Sequence, residues 1–181
     1  MSLNTGRQMN KGSTFTRHIV VSTSELGKNP EHPPTIKAYG VTPALEFTVG
    51  TDLAYCIRHV ASRYTDGTDI NISIMWTRSA TGTDESTKTV KWQIKYLVIK
   101  QGENCNSGET TATVQDTYDS SSTTEQVIYQ TDNITIPASS ITSGDCVILE
   151  ISAITPTGTA LSEPALVAVC CTYTAEQKVV A

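Results

Sequence analysis

The sequence predicts an all-β fold, an eight-stranded antiparallel β-sandwich of the jelly-roll kind with an extended N-terminal arm. Three observations carry this. Ser and Thr make up roughly a quarter of the 181 residues while 17% are charged, and β-branched, hydroxyl-rich chains, stiff at χ1, favour strands and turns over helices. From about residue 43 the apolar residues recur with a period of two, as in strands with one face in a core. Eight such runs follow one another with turn residues between them, which calls for a sandwich or barrel. With 38% hydrophobic residues the chain has enough apolar surface for one core and is not disordered.

Residues 1–40 read differently from the rest. They hold His18 and His32, one strand-like patch at Ile19-Val20-Val21, and the run Asn29-Pro30-Glu31-His32-Pro33-Pro34. Proline has no N–H to give a ladder, so this run cannot join a central strand and reads as an extended arm with a stiff linker. The sandwich is expected over 41–176 and a short tail over 177–181. Its first strand alternates through Leu45, Phe47 and Val49, and its second through Leu53, Tyr55 and Ile57. The turn Tyr64–Asp69 contains Asp66-Gly67, a strong turn dipeptide. Ile70, Ile72, Ile74 and Trp76 then share one face of a third strand. After a polar loop, Val90, Trp92, Ile94, Tyr96 and Val98 line the fourth. A Thr-rich fifth strand covers 110–117. The sixth contains Val127, Tyr129, Ile134 and Ile136, with a break near Thr131-Asp132. Cys146–Ser152 and Ala165–Tyr173 complete the eight.

Chemistry is sparse. The net charge of −5 and pI near 5.1 exclude non-specific binding to nucleic acid or an anionic membrane, since both need a basic patch. No apolar run approaches the ~20 residues of a membrane helix, and the N-terminus shows no signal-peptide core. Cys56, Cys105, Cys146, Cys170 and Cys171 are odd in number and lack CxxC spacing, so neither a disulfide framework nor a zinc site is expected, and all five read as reduced thiols. His18, His32 and His59 have no metal-ligand spacing. No nucleophile elbow, phosphate loop or dinucleotide motif occurs. Asp66 and Asp69 read as turn residues, Asp84 and Glu85 as a solvated loop, and Trp76 and Trp92 as core. No catalytic residue, metal or cofactor is expected.

One stretch goes further. Phe47, then Leu53-Ala54-Tyr55, the turn Tyr64–Ile70, a strand closed by Trp76, and Val90-Lys91-Trp92-Gln93-Ile94-Lys95-Tyr96 follow in order, with Gly144-Asp145 ahead of a late apolar strand. This order resembles the jelly-roll structural proteins of tailed bacteriophage virions, the head decoration or cement class, over roughly residues 45–174. The resemblance implies a non-enzymatic protein on the outer capsid surface, made in the host bacterial cytoplasm. Its partners would be the major capsid protein and further copies of itself, as a dimer or trimer. The arm is the expected contact, with Ile19, Val20, Val21, Pro30, Pro33 and Pro34 as its binding residues. The low-charge run Ala165–Cys171 is the expected surface for self-pairing. The alternative is a tail-fibre, receptor-binding or carbohydrate-binding sandwich, which needs exposed aromatic residues.

Overall fold

The computed structural model describes residues 13–79, 82–100, 102–105, 108–124 and 126–177. Twelve strands run through these residues: β1 (Thr14–Ser22), β2 (Gly27–Lys28), β3 (Thr35–Tyr39), β4 (Thr42–Glu46), β5 (Ala54–His59), β6 (Ile70–Arg78), β7 (Thr89–Ile99), β8 (Thr110–Thr117), β9 (Tyr129–Gln130), β10 (Ile134–Ile136), β11 (Cys146–Ile154) and β12 (Pro164–Glu176). Among the described residues helix is confined to two single 3₁₀ turns, Thr23–Glu25 and Ala138–Ser140.

The strands form two antiparallel sheets. In the first, β4, β12, β6 and the interrupted pair β9/β10 lie side by side, and β3 adds to the outside of β4. In the second the order is β2-β5-β11-β7-β8. Counting β9/β10 as one broken strand, β4 to β12 are the eight strands expected over 41–176. Apart from the β7–β8 pair within the second sheet, they alternate between the sheets in the interleaved order of a jelly roll. The break near Thr131 has a side-chain repair. Thr131 is buried, and its Oγ1 accepts the Ile74 amide at 3.0 Å while its own N–H donates to the Ile74 carbonyl at 3.0 Å.

Alternation in the sequence becomes the core. Leu45, Phe47, Ile72, Ile74, Trp76, Val90, Trp92, Ile94, Leu149 and Ile151 are all within 2% of full burial. Trp92 meets Phe47 edge-on at 5.4 Å, and Trp76 stacks on Tyr129 at 5.2 Å. Trp76 also donates its indole N–H to Asp116 at 3.0 Å, the kind of partner a buried indole usually finds.

The arm does not stand apart from the sandwich. β1 pairs with β12 along its whole length, Thr14 opposite Glu176 and Ser22 opposite Ala168. β12 pairs with β4 only at Ala165 and Leu166. A bulge between Leu166 and Ala168 then marks where β1 takes over that edge. The chain next crosses to the second sheet through Thr23–Glu25, adds β2 to β5, and returns as β3 beside β4. The Pro-rich run is pinned on the way: the Asn29 amide donates to the Leu53 carbonyl at 3.1 Å and the Leu53 amide to the His32 carbonyl at 3.0 Å. Residues 14–39, expected as part of an extended arm and linker over 1–40, lie on the sandwich of their own chain. An extended segment with apolar side chains finds unpaired backbone groups on the sandwich's own open edges. Residues 1–12 lie outside the described residues, as does the expected tail beyond Gln177.

Candidate assembly surface

The expected binding residues split into two groups. Ile19, Val20, Pro30 and Pro33 are exposed, whereas Val21 is fully buried and Pro34 is buried. Strand geometry separates Val20 from Val21: on β1, Phe15, Arg17, Ile19 and Val21 point toward the second sheet, while Thr16, His18 and Val20 point outward. Val21 continues the buried row Val169–Ile74, and Ile19 continues the row Cys171–Ile72. Val21 and Pro34 are therefore held by their own chain, which removes them as contacts for a partner.

Of the eight large hydrophobic side chains exposed among the described residues, five are Phe15, Ile19, Val20, Ile36 and Val41. They lie in the N-terminal segment and the β3–β4 hairpin, whose tip leaves Val41 fully exposed behind Gly40 at φ +61°. β1 itself is hydrogen-bonded along one edge only. Among the described residues its other edge pairs with no strand, and β2 covers β5 only at Ala54 and Tyr55. Two open edges thus flank the side of the sandwich where the chain crosses between sheets. Behind Ile19 lies a cleft of about 50 Å³ lined by Ile70, Ile72, Val147, Leu149 and Tyr173, with Arg58 at its rim. It is smaller than the ~150 Å³ that lets an apolar cavity take up benzene. Arg58 is held there by Glu25 at 2.7 Å.

A second apolar surface covers one end of the outer face of the second sheet. Ile57, Ile148 and Leu97 are directly opposite one another across β5, β11 and β7, and Cys146 and Ile99 form the next row beside His59. Ile57 is exposed, and Ile148, Leu97, Ile99 and Cys146 are half-buried. In sequence this end shows as the continuous runs Tyr96–Ile99 and Cys146–Leu149, which break the alternation because both faces are apolar. The run Ala165–Cys171, by contrast, sits on the central strand β12 with Ala165, Leu166 and Val169 fully buried. It is core, and the expectation of self-pairing through it is corrected.

Elsewhere polar groups serve the fold. Asp66 accepts the Ser143 amide at 2.9 Å and Asp69 the Ala138 amide at 2.8 Å, so this turn ties two loops. Glu85, expected in a solvated loop, is buried. It receives Lys88 Nζ at 2.8 Å, Ser162 Oγ at 2.9 Å and the Ser162 amide at 3.2 Å. Arg78 is fully buried as well. It donates to the Thr83 carbonyl at 2.7 Å and to the Ser122 carbonyl, and lies 5.3 Å above the Tyr118 ring. Neither was legible as buried, because each is held in part by a loop residue far away in sequence, Arg78 by Ser122 and Glu85 by Ser162. A further cluster joins the Ser79 hydroxyl, the Glu46 carboxylate and Lys37, whose Nζ is 2.5 Å from Glu46 and 3.3 Å from Ser79. The bond to Glu46 raises the Lys37 pKa, so its ammonium stays charged at neutral pH. A charged ammonium cannot take the serine proton, and the cluster acts as a bridge between β3, β4 and β6.

Trp76 and Trp92 are fully buried, and Phe15 is the one exposed aromatic residue among those described. Among the described residues no group of three or more His, Cys, Asp or Glu side chains is placed to hold a metal, and no helix is long and apolar enough to cross a membrane.

No protein-family model matches the chain, and no curated protein matches it. Among solved structures it is similar to the CBM22-2 xylan-binding domain of Paenibacillus barcinonensis Xyn10C, at 10% identity over 88% of this chain and 99% of that one, with a TM-score of 0.45. A xylan-binding module, CBM15, is similar at 11% identity over 89% and 97% of the two chains, TM-score 0.40. The VP2 subviral particle of infectious bursal disease virus is similar at 14% identity, TM-score 0.38, over 89% of this chain, which spans 33% of that one. None of these likenesses assigns an activity.

Proposed function

We propose that this chain is a non-enzymatic structural protein of a tailed-phage virion, a decoration or cement protein that binds the outer capsid surface and bridges major capsid subunits. The observation that carries the reading is where its exposed apolar side chains stand: five of eight lie in the N-terminal segment and the β3–β4 hairpin, against or beside unpaired strand edges. Monomeric proteins blunt long apolar edges with Pro, bulges or charged side chains; β1 has no Pro and no bulge, and Arg17 is its one Lys or Arg. Such an edge binds by adding a strand, with main-chain hydrogen bonds for affinity and alternate side chains for selectivity. Many identical weak contacts on a particle then add by multivalency. The rows around Ile57–Ile148–Leu97 are the surface for contact between copies in a dimer or trimer. The carbohydrate-binding alternative needs an aromatic platform in solvent, and both tryptophans are buried.

The test is cosedimentation of the full chain with purified capsids that lack it, alongside a glycan array. Saturable binding to capsids and a blank array are expected. Binding to tails or glycans with none to capsids would overturn the reading.

A further inference from the structure

The edge of β1 that pairs with no strand among the described residues also indicates what kind of strand it accepts. This inference rests on the decoration reading and adds the chemistry of the partner. β1 reads Thr-Phe-Thr-Arg-His-Ile-Val-Val-Ser, with every residue from Thr14 to Val20 exposed. On the face turned toward the second sheet stand Phe15, Arg17 and Ile19. Arg17 forms no ion pair among the described residues, its guanidinium lying 6.0 Å from the centre of the Phe15 ring. Strand β1 carries no acidic residue, in a chain whose net charge is −5. A strand added antiparallel to this edge sets one side chain directly opposite each of Phe15, Arg17 and Ile19, close enough for the pair to attract or repel.

In the register centred on His18 a second copy is a poor occupant. Two β1 strands paired about His18 would place histidine opposite histidine and the two Arg17 guanidiniums on diagonal positions of one face. Both arrangements set like charges or their precursors together. We infer that the β1 edge is a docking site for an extended segment of another protein, with aliphatic side chains opposite Phe15 and Ile19 and a carboxylate opposite Arg17. Arg17 then does two things at once: it disfavours that self-paired register and selects an acidic strand.

The full chain is titrated into three labelled peptides, followed by fluorescence anisotropy at low salt. The first is Thr-Val-Thr-Val-Thr-Glu-Thr-Val-Thr, the second has Lys in place of Glu, and the third has Pro in place of the central Thr. The Glu peptide is expected to bind roughly fivefold tighter than the Lys peptide. The Pro peptide, which lacks a ladder donor, is expected not to bind. Arg17→Glu, an exposed substitution, should reverse the order of the first two. Equal binding of the Glu and Lys peptides, or binding of neither, overturns the inference. So does a concentration-dependent dimer in light scattering that persists in Ile57→Asp and excludes the Glu peptide, since the edge would then belong to a second copy. Capsid cosedimentation that survives Arg17→Glu while the peptides show no selection removes this inference and leaves the decoration reading standing.

Discussion

Two neighbouring valines show how one strand divides its labour. Val21 is fully buried in the row Val169–Ile74, and Val20 is 58% exposed on the opposite face. Val21→Ala removes two buried carbons and leaves a void, a loss of about 2 kcal/mol. Val20→Ala should change stability by less than about 0.5 kcal/mol. Urea melts of the two variants check this, and equal effects would mean that β1 is not seated in the register described. Glu85 gives a pH-dependent counterpart. Burial raises its pKa, but the hydrogen bonds from Lys88 and from the Ser162 amide and hydroxyl outweigh burial, and the net shift is downward from 4.5. A carboxyl with a depressed folded pKa stabilises fully above its unfolded pKa and loses that contribution as pH falls through the folded one. Glu85→Gln should therefore cost about 2 kcal/mol at neutral pH, and the gap from the parent protein should narrow below pH 4.5. The thiols follow burial too. Desolvation pushes Cys171 up to about 12 and raises Cys56, while Cys105 is exposed. Alkylation of the native protein at mildly alkaline pH should modify Cys105 first and leave Cys56 and Cys171 intact. In denaturant without reductant all five should react; three or fewer would mean that disulfides form.

At the scale of elements, the strands from the N-terminal segment are additions to a sandwich already complete in β4 to β12. β1 extends the β4 edge of β12, β2 makes a two-residue ladder with β5, and β3 pairs only with β4. Deleting residues 1–38 should thus leave a cooperative melt and β-type circular dichroism. The midpoint should fall, because Val21 and Leu26 leave the core and the β12 edge is bared. The same deletion should weaken attachment to capsids by more than about tenfold, since it removes the free edge with its apolar side chains. Undiminished attachment would move the contact to the outer face around Ile57. Loss of folding would show that the crossing segment, tied to β5 through Glu25–Arg58 and Asn29–Leu53, is part of the cooperative unit.

For the whole molecule, the register of Thr14 with Glu176 ties the two ends of the described chain into one ladder. Almost every pairing in the sandwich is non-local, and such topologies fold in roughly milliseconds to seconds because loop closure precedes the contacts that reward it. β1 cannot form its ladder before β12 is in place beside β6. Pulsed hydrogen exchange during refolding should show β1 amides protected with or after those of β12, and earlier protection would contradict the pairing.

Alternation by itself determined the jelly-roll strands, their order along the chain and most of the core. A strand with one wet face must alternate, and Ile70–Ile74 and Val90–Tyr96 do so without interruption. It also marked the break at Thr131, where polar residues interrupt an apolar run. What only the tertiary structure decided was where the N-terminal segment lies, that Arg78 and Glu85 are buried, and that β12 is central. β1 is exposed on both faces over most of its length, so its side chains hold no record of its partner; that partner is set by backbone groups left open on β12. Arg78 and Glu85 look like surface residues in one dimension, because the carbonyls, hydroxyl and amide that satisfy them come from loops up to 77 positions away. Periodicity records which face of a strand is wet. Backbone hydrogen bonds, nearly blind to side-chain identity, choose the neighbour, and that choice exists only once the sheets have met.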